Sequence, residues 1–175
     1  MGSSNEARKP PIPQLARSAT FVADKEPIMN ASQNLISQLN HLLANHVVEY
    51  HKLQSFHWYV KGADFFQAHA KLEELYDGIN DSVDEIAELI LQTGGKPASS
   101  LKEFLELASI EERVSEFTDS SAVFDAVIAD FQTLLDETIS VKEAADAENN
   151  YLVSAALDGS ITAFSKSLWM MRQAQ

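Results

Sequence analysis

One segment of the chain, residues 72–95, combines a helical apolar pattern with charge of a single sign. Its apolar residues recur every three or four positions, as on a helix with one buried face: Leu72, Leu75, Ile79, Val83, Ile86 and Ile90. The segment also holds seven acids and no Lys or Arg: Glu73, Glu74, Asp77, Asp81, Asp84, Glu85 and Glu88. Opposite charges three or four residues apart stabilise a surface helix, and like charges do not. The pattern therefore indicates a bound cation, with a solvated acidic face as the alternative.

The histidines are concentrated just before this segment, because all five lie between residues 41 and 69. At about 100° per residue, six ligand-type side chains fall within an arc of about 120° on the helix: His69, Glu73, Asp77, Asp81, Asp84 and Glu88. Imidazoles and carboxylates are ligands that suit first-row transition metals. We expect His46 to be a packing residue, and His41 and His51 to be exposed or structural.

The length of the acidic helix prevents one chain from building the whole site. His69 and Asp84 are fifteen residues apart, which is roughly 22 Å along a helix. A second copy, antiparallel across a two-fold axis near Gly78, would bring the two ends together. A mid-helix glycine costs about 1 kcal/mol against alanine, and close approach of two backbones is a reason for it. The prediction is a pair of equivalent sites between subunits.

Composition limits the class of protein. The 175 residues fit one domain, and the absence of cysteine removes disulfides and thiolate metal sites. No apolar stretch reaches the 18 or so residues of a membrane span, so we expect a soluble cytoplasmic protein. The net charge is −13. Residues 1–26 hold four bases and three acids (+1), which leaves −14 for residues 27–175. A body this acidic repels nucleic acid and attracts cations.

Periodicity and turn residues divide the chain into two parts. Residues 1–29 contain four of the five prolines and predict an extended or partly helical tail. Residues 30–175 predict an all-α four-helix bundle, with long helices near 31–60, 65–93, 120–143 and 148–172 and a short helix near 101–108. The expected N-terminal caps are Asn30 with Gln33, Asp64 with Gln67, Ser100 with Glu103, and Asp119 or Ser120. The expected buried face of the last helix is Leu152, Ala156, Ile161, Phe164 and Leu168, with Gly159 at a close packing contact.

Several motifs resemble those of one protein family, over roughly residues 30–172. They are His57-Trp58-Tyr59-Val60-Lys61-Gly62, Phe65-Phe66, Glu73-Glu74-Leu75-Tyr76, Asp84-Glu85, Ala87-Glu88 and Gly94-Gly95-Lys96-Pro97. The family is Dps, the mini-ferritins, in which twelve ferritin-like four-helix bundles form a hollow shell built from two-fold dimers. Its ferroxidase pattern maps without a gap onto His57, His69, Glu73, Asp84 and Glu88. The resemblance implies that one subunit supplies the first three ligands and its two-fold partner the last two.

The resemblance also implies an activity. Fe(II) would be oxidised by hydrogen peroxide, or less readily by dioxygen, and stored as ferric mineral, which protects the cell from oxidative damage. A shell that binds Zn(II) in the same ligands and oxidises nothing is an alternative. The di-iron centre of a conventional ferritin is less well matched, because it uses Glu-x-x-His and no histidine here has a glutamate three residues before it.

Further residues carry secondary expectations. Trp58 would take up oxidising equivalents beside the metal, as in the family, with core packing as the alternative. Lys61, Asp77 and Asp81 are candidates to orient ligands or pass cations inward. Asp146 and Glu148 lie where family members line an iron-entry pore, although a helix N-terminal cap explains them equally well.

DNA binding is the rival function. Many Dps proteins bind DNA through basic tails, and the tail here offers four bases: Arg8, Lys9, Arg17 and Lys25. Four bases are few, but a twelve-fold shell multiplies them. The acidic body opposes such binding.

Overall fold

The computed structural model describes residues 29–174, and the predicted tail lies outside them except for Met29. The described chain contains α1 (Gln33–Tyr59), β1 (Val60–Lys61), α2 (Phe65–Gln92), α3 (Leu101–Leu107), β2 (Thr118–Asp119), α4 (Ser120–Ala147) and α5 (Tyr151–Gln173). The prediction of an all-α four-helix bundle with a short helix between the second and third long helices is confirmed. The two short strands, which pair in parallel, were not predicted.

A few contacts fix the directions of the helices. The parallel pairing of β1 with β2 places the end of α1 beside the start of α4. The Ser120 hydroxyl donates to Asp64 at 2.7 Å, which puts the start of α2 at the same end of the bundle. Helices α2 and α4 therefore run parallel, and the chain between them, which includes α3, is a long crossover. This crossover packs α3 against α1.

The core follows the face predicted for α2, where Leu72, Leu75, Ile79, Ile86 and Ile90 are buried and Val83 is half-buried. In α4 the buried residues also recur at helical spacing: Val123, Val127, Phe131, Leu134, Thr138 and Val141. In α5 the predicted face is wrong at its start, because Val153 and Leu157 are buried and Ala156 is exposed. The helix begins at Tyr151 rather than near residue 148, and its buried face starts at Val153. No helix within residues 29–174 has the length and apolar character needed to cross a membrane.

Helix ends depart from prediction where a distant residue supplies the hydrogen bond. At α1 the cap is Ser32, not Asn30, and Ser32 is itself bonded to the Glu148 carboxylate. Asp64 precedes α2 but makes no capping hydrogen bond, since its carboxylate accepts from Ser120 instead. The Ser100–Glu103 capping box is present as predicted. Helix α4 continues to Ala147, four residues beyond the predicted end at 143.

Two glycines have different roles. Gly62 has φ +137°, and a Cβ there would lie 3.0 Å from the Asp64 carboxylate, so the turn between α1 and α2 favours glycine. The predicted close contact at Gly159 is absent from the described chain, where a Cβ would meet no atom within 4 Å. Gly78 is equally open. The surface of α2 at Gly78 is therefore open in a single subunit, and a second molecule could pack there.

Candidate metal site

His57 and His69 form the centre of the candidate site, one from the last turn of α1 and one from the second turn of α2. Their rings stack with centroids 3.6 Å apart and planes inclined by 21°. His57 Nδ1 lies 2.8 Å from the backbone carbonyl of His69, and His69 Nδ1 lies 2.9 Å from the carbonyl of His57. Each ring is therefore held by the backbone of the other residue.

This reciprocal arrangement determines which nitrogen can bind a metal ion. A carbonyl oxygen only accepts hydrogen bonds, so each Nδ1 must carry the proton and donate it. In the neutral imidazole, Nε2 then keeps the lone pair that a metal ion can accept. An imidazole that ligates a metal commonly donates its other N–H to a carbonyl, which fixes the tautomer and the ring orientation. The pair thus has the tautomer that a metal site requires.

Glu73 lies one helical turn after His69 on α2, and its side chain is exposed. It makes no ion pair within residues 29–174. Tyr76 is close by, with its ring 5.5 Å from that of His57. Partial desolvation, followed by the negative charges of Glu73 and Asp77, raises the pKa of Tyr76. Negative potential is therefore present beside the histidine pair, as a cation site requires.

Asp84 and Glu88 lie farther along α2, exposed and without ion pairs in the described chain. Because α2 is continuous, His69 and Asp84 are separated by roughly 22 Å. Within residues 29–174, no three His, Cys, Asp or Glu side chains converge as a metal site. One chain therefore brings together His57 and His69, with Glu73 one helical turn away, and leaves Asp84 and Glu88 at a distance.

The residues predicted around the site are placed as follows. Trp58 is 57% exposed, so the core-packing alternative does not hold within the described chain. Its ring meets the edge of His51 with centroids 6.0 Å apart. Asp77 and Asp81 are exposed on α2 between the two ends. Lys61 is 3.7 Å from Asp119 and so pairs with a residue outside the predicted ligand set.

Asp146 and Glu148, the candidate pore residues, are exposed but hydrogen-bonded within the chain. Asp146 accepts from the Ser154 hydroxyl at 2.5 Å, and Glu148 accepts from Ser32. The alternative of an α5 N-terminal cap is wrong for both, because Asn150 accepts from the Val153 amide and caps that helix.

Among the residues that the structure describes, His46 and Glu49 are ionisable side chains that are fully buried in the core. His46 is fully buried against Phe164, which confirms the prediction of a packing role, and its Nε2 has no partner among the described residues. Burial lowers the pKa of His46 to about 4. Glu49 is equally buried, and desolvation, aided by the charge of Asp130, raises its pKa well above the usual value. Glu49 stands three residues after His46 and four before Leu53, and this spacing puts it on the buried face of α1.

Comparison with known proteins identifies the fold family. A ferritin-like domain model matches residues 36–174. DNA protection during starvation protein 2 of Bacillus anthracis is 40% identical over 141 residues, covering 81% of this chain and 96% of the relative. A Dps crystal structure from Bacillus brevis matches with a TM-score of 0.78 at 35% identity, covering 81% of this chain and 94% of that one. A Dps structure from Vibrio cholerae O1, described as a member of a broad superfamily of ferritin-like diiron-carboxylate proteins, has a TM-score of 0.78 at 32% identity and covers 81% of this chain and 88% of that one. The chain belongs to the Dps family of ferritin-like proteins.

Proposed function

We propose that this protein oxidises Fe(II) with hydrogen peroxide, or less readily with dioxygen, and stores the ferric product inside a shell of twelve subunits. The observation that carries the proposal is the stacked pair His57 and His69, whose Nδ1 atoms are both committed as donors. Glu73 of the same chain, with Asp84 and Glu88 of a two-fold partner, would complete a mixed nitrogen and oxygen site. Such ligands suit Fe(II) and also the harder Fe(III). A cytoplasmic location remains a prediction from composition.

The reaction conserves electrons and atoms. Two Fe(II) ions each give one electron to a single peroxide molecule, whose O–O bond breaks. Hydrolysis of the two ferric ions to oxyhydroxide then consumes two water molecules and releases four protons in total. The exposed carboxylates along α2 would attract the incoming cations, and Asp77 and Asp81 would lie on that route. Trp58, exposed directly after His57, would take up stray oxidising equivalents.

The first test separates a ferroxidase from a silent metal-binding shell. Anaerobic protein is titrated with Fe(II), peroxide is added, and ferric absorbance is recorded in the near ultraviolet. Wild type should oxidise Fe(II) rapidly, and the His57→Ala/His69→Ala variant should not. His41→Ala is the matched control, since it removes another histidine of α1, sixteen residues or about 24 Å along the helix before His57. Equal oxidation rates in the assembled double variant and the wild type would refute the site.

The second test asks whether two subunits share the site. The His57→Ala/His69→Ala variant is mixed with an Asp84→Ala/Glu88→Ala variant, and the mixture is dissociated and reassembled. Some dimer interfaces then contain one intact set of five ligands, so part of the activity should return. An activity no higher than that of the separate variants would contradict a shared site.

DNA binding is a second candidate, favoured by the charge asymmetry between the tail and the body. Residues 1–26 carry +1 and residues 27–175 carry −14. The Bacillus anthracis relative is named for DNA protection. We propose weak, nonspecific binding through Arg8, Lys9, Arg17 and Lys25, summed over the shell. These residues lie outside the described part of the chain.

A further inference from the structure

The orientation of the His69 ring depends on where α1 ends. The last helical hydrogen bond of α1 runs from the Val60 amide to the Phe56 carbonyl. If the helix continued, the Lys61 amide would bond to the His57 carbonyl. The chain instead turns into β1, and the His57 carbonyl accepts from His69 Nδ1 at 2.9 Å. The end of the helix therefore provides the acceptor that fixes the His69 tautomer.

The end of α1 is held by a segment that is distant in sequence. In β1, Val60 pairs with Thr118 of β2, and Lys61 pairs with Asp119. A two-residue parallel pairing is too short to be stable alone, because isolated strand pairs are marginal even when longer. Another contact must therefore hold β2 against the end of α1.

Arg113 supplies such a contact, in addition to the exposed ion pair between Lys61 and Asp119. One guanidinium nitrogen donates to the Ser55 carbonyl at 3.0 Å, in the turn that carries His57. The other donates to the Thr118 hydroxyl at 3.0 Å and to the Glu116 carbonyl at 2.5 Å. The guanidinium carbon also lies 4.5 Å from the centre of the Phe56 ring, within the range of a cation–π interaction. A single side chain thus bridges the last turn of α1 and the strand that ends it.

We propose that Arg113 is a positioning residue of the iron site, which keeps the His57 carbonyl available to the His69 ring by holding β2 against the end of α1. The inference rests on the proposed function of the histidine pair. Arg113 lies forty-four residues after His69, and within residues 29–174 it makes no hydrogen bond or ring contact with either imidazole. Its effect on metal binding is therefore indirect, through the backbone.

The test uses Co(II) as a probe that binds without being oxidised by the protein. Co(II) affinity is measured on assembled shells by its visible absorption, well below the melting temperature of every variant. Arg113→Gln should weaken Co(II) binding by about 10- to 100-fold, which is typical when a group that orients a metal ligand is lost. Arg113→Lys should recover part of this affinity, since an ammonium can lie over Phe56 but cannot bridge both sides as a guanidinium does. Arg172→Gln is the control, because the Arg172 guanidinium donates to the Gln132 side chain, which belongs to α4 and not to the turn that carries His57.

The outcomes are distinct. Wild-type affinity in Arg113→Gln, together with a lowered melting temperature, would show a merely structural role and overturn the inference. If Arg113→Gln does not assemble, Arg113→Lys and Thr118→Val decide the matter, and unchanged Co(II) affinity in both would overturn it. Wild-type protein that binds no Co(II), or binds it equally after His57→Ala/His69→Ala, would refute the proposed function itself and the inference with it.

Discussion

The buried imidazole of His46 should make the bundle sensitive to acid. Its side chain is fully buried, and burial lowers its pKa from 6.5 to about 4. The unfolded chain therefore binds a proton between these values while the folded chain does not. The free energy of unfolding is therefore not reduced by the titration of His46 above pH 6.5. It decreases as the pH falls from 6.5 towards 4, because protons bind to the unfolded chain. At 1.36 kcal/mol per pKa unit, the loss is about 3 kcal/mol per subunit.

The substitution His46→Leu isolates this effect. At pH 7.5 the variant should be at least as stable as wild type, because His46 Nε2 has no partner among the described residues and its burial is unfavourable. Between pH 6.5 and 4 the variant should gain on wild type by about 3 kcal/mol, which for a chain of this size is roughly 6–12 °C in melting temperature. The hydrogen bond to the Leu42 carbonyl and, to a lesser extent, the Glu137 charge raise the pKa of His46, but more weakly than burial lowers it.

The assay is thermal unfolding followed by far-ultraviolet circular dichroism, at several pH values between 7.5 and 4. Subunit concentration is held constant, because unfolding of an assembled shell depends on it. His51→Leu removes an exposed histidine from the same helix and should follow the wild-type curve. Wild-type and His46→Leu curves that stay parallel throughout this range would refute the reasoning.

Three further predictions concern other parts of the chain. Burial raises the pKa of Glu49, so Glu49→Gln should stabilise the protein. The gain in melting temperature should grow as the pH rises above 4.5, because the buried carboxyl of the wild type is then under increasing pressure to ionise. A difference in melting temperature that does not change with pH would exclude linked protonation. Glu148→Ala should lower the free energy of unfolding by about 0.5–1.5 kcal/mol, measured with urea, because Ser32 loses its acceptor. Deletion of residues 1–26 should abolish any DNA gel shift and leave Fe(II) oxidation unchanged, whereas DNA retention by the truncated shell would assign binding to the body.

The sequence was sufficient to predict the helices and the candidate ligands. The apolar positions of α2 and α4 repeat with the helical period, so their buried faces follow from local order alone. The Ser100–Glu103 capping box was also predictable, since both partners lie within four residues. The same helical geometry separates His69 from Asp84, whatever the rest of the fold.

Contacts between distant segments determined the remaining features. Ser32 rather than Asn30 caps α1, with Glu148 supporting the cap from the far end of α4. The parallel pairing of Val60 with Thr118 ends α1 one residue before the predicted limit. Two-residue strands have no periodicity that a sequence could reveal. The hydrogen bond from His69 to the His57 carbonyl depends on the end of α1 at Tyr59. The sequence therefore determined which imidazoles are present. The tertiary structure decided which of their nitrogens can bind a metal ion.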